Sequence, residues 1–371
     1  MGRTAQHCKQ CGRIIYFDGI CISCRAENER KEILAWSQEE IDDAVRKICD
    51  EIKETGELDK ESDVFTKLVN YRDIDTSEIA QVAFEKQLFY PFEMYKDASD
   101  EIIRAMLEML SQDNVDTMLG ANHLLSCLAI HGGEEVFRSF MEFEKNPRKW
   151  REKVYVNPSV YATNGGWSYD SSGNALKTIF DKCYPMVKGT PNEKEHSPVK
   201  IGVRTREKCS HCGCTMVNLM EIDGRDSRLQ FLGIDGVIKA KCCPNCIMWS
   251  DDHFCRYTVN GESEIIYEKE PFNTENYMKD EGIEEMASNS YILGETPVPL
   301  RYAADWEGGS SVGGFAFWIQ DCVIKHCPDC GKTMKYLAQI QWDTVLDGME
   351  GNAYIEICED CNVIAVLHQQ T

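Results

Sequence analysis

From about Ser37 the apolar positions recur with a helical period. Ile41, Val45, Ile48 and Ile52 share one face, Ser37 and Glu40 form a capping box, and Gly56 supplies the stop. A second helix is predicted around Val64, Phe65, Leu68 and Val69. The next pair follows Asp75, with Ile79, Val82 and Ala83, and then Ser99, with Ile102, Ile103, Met106 and Leu110. A third runs from about Asn114 to Glu144, broken at Gly132-Gly133. The pairs start near residues 37, 76 and 114, a spacing of about 38 that is close to the HEAT-like repeat period. An ordinary helical bundle also fits, because the pairs share little sequence.

Past residue 200 the period changes to two. RLQFLGIDGVIKA and NAYIEI alternate and are rich in β-branched side chains, as strands require. Between the two regimes, residues 146–200 are aromatic and turn-rich, and 188–200 read as an exposed linker. Trp150, Tyr155, Tyr161, Trp167 and Tyr169 are expected to close the end of the helical stack.

Cysteine changes this picture most. Twelve of the nineteen cysteines fall in six CxxC pairs. The N-terminus shows no apolar leader and no apolar run approaches 18 residues, so the expected setting is cytoplasmic. In a reducing compartment such pairs bind metal rather than form disulfides. Cys8, Cys11, Cys21 and Cys24 read as a zinc ribbon, with RIIYFDGI as a hairpin turning at Asp18-Gly19. So short a unit needs the metal's folding energy, on the order of 10–16 kcal/mol.

CSHCGCTM at 209–216 returns as CPDCGKTM at 327–334, 118 residues later. Each copy is followed by another pair, Cys243 and Cys246 in the first and Cys358 and Cys361 in the second. The inner gaps are 30 and 27 residues. The predicted ligands are therefore Cys209, Cys212, Cys243 and Cys246, then Cys327, Cys330, Cys358 and Cys361. Cys242 could replace Cys243, although the parallel with the second copy favours Cys243. Cys214, Cys255 and Cys322 are left as buried thiols, since structural zinc closes at four ligands. The glycine after each first pair suits a turn with positive φ. His123 and Cys127, at i and i+4, read as core side chains before metal ligands.

The expected fold class is multi-domain α+β: a zinc ribbon (1–30), a HEAT-like α-helical domain (31–150), a connector (151–200) and a duplicated zinc-binding β domain (201–371, copies about 201–290 and 291–371). The cofactor is Zn2+, about three per chain.

Residues 294–341, with GETPVPL, GGFAFWIQD and CPDCGKTMKYLAQIQ, resemble the YwqG-like bacterial proteins and the programmed-cell-death protein 2 family. Gly313, Gly314, Trp318, Leu337 and Gln339 match family positions, while Ala316 stands where proline is usual. The resemblance implies a β-rich binding fold without known catalysis; the second family chaperones a ribosomal protein.

A formal charge of −22 and a pI near 4.8 disfavour nucleic acid as a partner. The alternative rests on Arg3, Lys9, Arg13, Arg25, Arg30, Lys31 and Tyr16 of the first segment. A metal-dependent enzyme is the other alternative, but Gly331-Lys332-Thr333 lacks the rest of a P-loop. GGSSVGG at 308–314 reads as a flexible or ligand-facing loop, not a dinucleotide fingerprint. Redox sensing by the thiolate sites stays open. The leading expectation is a non-catalytic protein-binding adaptor, chaperone-like or immunity-type module. Its protein or peptide partner would be held at Gly313, Gly314, Phe317 and Trp318, with no membrane involved.

Overall fold

The computed structural model describes residues 5–12, 14–112, 115, 118–306 and 308–371. Two compact units emerge, one of residues 30–178 and one that joins residues 1–29 to 179–371. This division falls elsewhere than at the composition breaks. The first four cysteines belong with the β-rich unit, and the aromatic segment 151–178 belongs with the helices.

The chain opens with β1 (Gln6–His7) and β2 (Ile14–Ile15), an antiparallel pair, and then α1 (Ile22–Ala35). This corrects the predicted hairpin. Its strands flank the first CxxC, while residues 16–19 form a bend, and the second CxxC leads into a helix.

In the helical unit, α2 (Gln38–Thr55), α3 (Ser62–Arg72), α4 (Ser77–Glu85), α5 (Asp100–Ser111) and α7 (Glu134–Lys145) follow the apolar periodicity, while α6 (Met118–His131) is apolar nearly all round. Ser37 caps α2 reciprocally with Glu40, and Gly56 ends it at φ 76°. Ile48 and Ile52 are fully buried, each contributing roughly 1.5–3 kcal/mol. The predicted start at Asn114 lies outside the described residues.

The aromatics after α7 mostly pack back on the helices. Trp150 Nε1 donates to the Leu110 carbonyl at 2.8 Å, Trp167 lies 4.9 Å from Phe137, and Tyr169 donates to the Phe137 carbonyl at 3.0 Å. Tyr161, at the end of α8 (Pro158–Tyr161), reaches Asn122. Tyr155 is the exception: it is 89% exposed and closes nothing. A short ribbon, β3 (Trp167–Tyr169) and β4 (Ala175–Lys177), ends the unit. No helix among the described residues is long and apolar enough to cross a membrane.

The β-rich unit continues with β5 (Cys183–Lys188), α9 (Pro191–His196), β6 (Val199–Lys208), β7 (Thr215–Asp223), β8 (Val237–Cys242), β9 (His253–Tyr257) and β10 (Ser263–Glu268). After these come α10 (Lys279–Ser288), β11 (Tyr291–Leu293), β12 (Ser310–Gly313), β13 (Lys335–Gln341), β14 (Asn352–Cys358) and β15 (Val363–Gln369). The expected linker is thus partly ordered: α9 starts at a Thr190–Glu193 capping box.

Eight strands form one antiparallel sheet in the order β10-β9-β15-β14-β13-β12-β5-β11, and β6-β7-β8 form a second. The large sheet is buried on both faces at its centre. Ala353, Ile355 and Ile357 of β14 enter a core with Val217, Leu219 and Ile238 of the small sheet, while Tyr354 and Cys358 enter another. GGSSVGG is therefore not a loop. Ser310, Ser311, Val312 and Gly313 form β12, buried between β5 and β13.

The duplication extends to backbone register. Shifting the first strand by 118 residues and the second by 115 carries each β7–β8 pair onto a β13–β14 pair. Val217↔Cys242 becomes Lys335↔Ile357, Met220↔Ala240 becomes Ala338↔Ile355, and Asp223↔Val237 becomes Gln341↔Asn352. The irregularity between Asn218 and Met220 recurs between Tyr336 and Ala338. A bulge repeated at the same place makes the two hairpins one structural repeat. Beyond the hairpins the copies diverge: β15 returns to pair with β14, whereas β9 leaves β8 and pairs with β15 and β10.

Candidate metal centres

Each centre begins with a tight turn of C-x-x-C-G. The glycine amide donates to the carbonyl of the first cysteine, Gly12 to Cys8 at 2.9 Å, Gly213 to Cys209 at 2.9 Å and Gly331 to Cys327 at 2.8 Å. These glycines have φ of 78°, 71° and 70°, the left-handed region where a side chain is strained. In the duplicated copies a further bond closes the loop, Cys209 N–H to Cys214 O and Cys327 N–H to Lys332 O, both at 2.8 Å. Asn362 takes the left-handed position after Cys361, at φ 55°.

Three groups of four thiols result: Cys8, Cys11, Cys21 and Cys24; Cys209, Cys212, Cys243 and Cys246; Cys327, Cys330, Cys358 and Cys361. Within each, the sulfur atoms lie within 4.8 Å of one another. Individual Sγ–Sγ distances are 3.6 Å for Cys11–Cys21, 3.6 Å for Cys209–Cys246, 3.5 Å for Cys212–Cys243 and 3.8 Å for Cys330–Cys358. A disulfide would need about 2.05 Å. Four thiolates about 2.3 Å from a tetrahedral zinc stand roughly 3.8 Å apart. The donor set and its spacing are therefore compatible with zinc.

Backbone amides support the sulfurs: Cys21 N–H donates to Cys8 Sγ at 3.2 Å, and Cys246 N–H to Cys243 Sγ at 3.4 Å. Such donors favour the thiolate form that a metal requires. Cys243 and not Cys242 joins the cluster: Cys242 ends β8, paired with Val217, and Cys243 follows it out of the strand. Cys214 and Cys255 are buried, Cys255 donating to Lys239 O at 3.8 Å; Cys322 is only half-buried, against expectation. His123 stacks on Tyr90 and meets Phe92 edge-on, while Cys127 donates to Phe89 O at 3.4 Å, so both have partners other than a shared metal.

The second centre has neighbours that motif reading missed. His211, inside its first turn, lies 3.3 Å from the Glu268 carboxylate, which is also 3.7 Å from buried His253. Pairing of β9 with β10 sets Glu268 opposite His253, and only the fold brings His211 of the β6–β7 turn to them, so no spacing rule could show it.

The four residues expected at a partner site have different duties. Gly313 and Gly314 are buried, and a Cβ on Gly314 would meet Leu300 O at 2.4 Å. These glycines serve packing of their own chain and offer no surface to a partner. Trp318 stacks on Tyr354 at 4.3 Å and packs on the core. Phe317 instead meets Trp306 at 5.6 Å and lines an open cleft. Gln339 holds this segment in place, accepting from Phe317 N–H at 2.8 Å and donating to Gly309 O at 2.8 Å.

Lys9 pairs with Asp18 at 2.8 Å, and Arg30 is buried over the Tyr71 ring; Arg3 and Arg13 lie outside the described residues. Lys332 of the P-loop-like run pairs with Asp360 at 2.5 Å, and Thr333 bridges His326.

No family model and no solved structure matches the chain, so the resemblance of residues 294–341 gains no support there. One similar protein is the uncharacterised protein YpfL of Salmonella typhimurium (strain LT2), 26% identical over 291 residues. The alignment takes in 77% of this chain and 66% of that protein, just under two thirds of its length.

Proposed function

We propose that this chain is a zinc-stabilised cytoplasmic protein-binding module, adaptor, chaperone-like or immunity-type, with about three structural Zn2+ ions and no catalytic centre. One observation carries the reading: each sulfur cluster is complete at four thiols. Structural zinc closes at four protein ligands, whereas catalytic zinc keeps a position for water or substrate. The clusters also sit where the fold most needs them. The first ties a two-stranded pair to a helix that shares only a small apolar cluster with it, and the others clamp the ends of the repeated hairpins.

The first centre acts as a compact zinc-ribbon-like module in which the second pair starts a helix. The helical unit reads as HEAT-like, since its helix pairs begin at Gln38, Ser77 and Met118 and α2 packs on α4. The resemblance of residues 294–341 to YwqG-like proteins points toward binding as well.

A tagged, zinc-loaded chain drawn from its own cells should bring down one partner in fixed stoichiometry, and lose it when chelator strips the metal. Substrate turnover that appears only on adding metal, with no partner recovered, would contradict the proposal.

A further inference from the structure

Within the β-rich unit, the N-terminal cysteine segment lies against the far end of the chain. Ser23 donates to the Asp343 carboxylate at 2.7 Å, across 320 positions of sequence. Beside this contact is a cleft of about 360 Å³, lined by the apolar Phe17, Ile22, Trp306 and Phe317 and the acidic Asp343 and Glu350. Phe17, Ile22 and Trp306 are 42%, 62% and 55% exposed. Large apolar side chains from separate segments converge here and stay wet, which marks an interaction site more than a core.

The size of the cleft restricts what fills it. At the small end of ligand cavities, it takes one or two side chains of an extended segment and not the face of a folded domain. Charge restricts it further: its described lining holds two carboxylates and no lysine, arginine or histidine.

We infer that this cleft binds a short peptide segment in which an aromatic or large aliphatic residue is followed by a lysine or arginine. The apolar side chain packs against Trp306 and Phe317, and the cation meets Asp343 and Glu350. Aromatic walls hold a cation's alkyl stem as well as its neighbour. This deepens the protein-binding reading and rests on it.

The test uses the full zinc-loaded chain and three blocked, fluorescein-labelled pentapeptides: Gly-Gly-Phe-Arg-Gly, Gly-Gly-Phe-Glu-Gly and Gly-Gly-Ala-Arg-Gly. Fluorescence anisotropy should show the Phe-Arg peptide binding about tenfold tighter than either control, with affinity falling as salt rises. Glu350→Gln should weaken the preference for arginine over glutamate, and Phe317→Ala the preference for phenylalanine over alanine, both at unchanged zinc content. Equal binding of the three peptides, or wild-type discrimination in both variants, would overturn the inference. A cellular partner captured equally by the wild type and both variants would sink it too, while leaving the protein-binding reading intact.

Discussion

Phe317 and Trp318 are sequence neighbours, yet truncating them should have unequal consequences. Trp318 lies 4.3 Å from Tyr354, nearly parallel at 26°, and 6.3 Å from Tyr336. Removing a fully buried tryptophan costs about 3–5 kcal/mol; Trp318 is half-buried, so Trp318→Ala should cost about 2–4. The side chain of Phe317 faces the cleft and one ring, and its structural bonds run through the backbone: Phe317 N–H to Gln339 at 2.8 Å, and Tyr354 hydroxyl to Phe317 O at 2.6 Å. Alanine keeps those bonds, so Phe317→Ala forfeits one aromatic contact, about 0.5–1.5 kcal/mol. Urea unfolding in zinc buffer, followed by near-UV circular dichroism, measures both. Calorimetry run beside it separates the two units, whose joint unfolding need not be two-state. Phe317→Ala should fold normally and lose partner or peptide binding, whereas Trp318→Ala should lower the midpoint of the β-rich unit. Equal destabilisation by both would refute the assignment of one residue to the cleft and the other to the core.

Cys243→Ser should release one zinc per chain, whereas Cys242→Ser should retain all the metal; mass spectrometry under native conditions distinguishes them. With metal bound, iodoacetamide should label Cys11 and Cys330, both exposed, before any cysteine of the more buried second centre, as peptide mapping would show. His368 accepts from Trp342 Nε1 at 2.8 Å, and burial holds its pKa at about 4, below the ordinary 6.5. A lowered histidine pKa gives stability that is present above pH 6.5 and lost as pH falls toward 4, here about 3 kcal/mol at most. Comparing the wild type with His368→Gln across that window isolates this contribution from acid loss of metal, which both proteins share.

What could be read in advance followed from local rules. A CxxC pair is a complete local device, so the cysteine spacing pointed to all three clusters, and the 118-residue echo pointed to the repeated hairpin. Helices α2 to α5 and α7 announced themselves because one face of each must be apolar at a period of 3.6, while α6 is apolar nearly all round. Strand β12 did not, because Ser310 and Ser311 are buried in a sheet covered on both faces and carry neither alternation nor apolar bulk. Helix α1 was missed for a different reason: ISCRAENERKEILA has few apolar residues and starts straight from a cysteine turn. The cleft was beyond reach, since Ser23 and Asp343 meet only through the fold. Phe317 and Trp318 are both half-buried and similar in chemistry, and only the fold separates the ring that lines the cleft from the one packed on the core.

Metal content tests the central claim most directly. Protein purified without chelator and measured by native mass spectrometry, alongside elemental analysis, should carry three zinc ions per chain, with the twelve cluster thiols alkylated far more slowly than after the metal is removed. Fewer than three zinc ions in folded protein, or disulfides within the clusters, would contradict it.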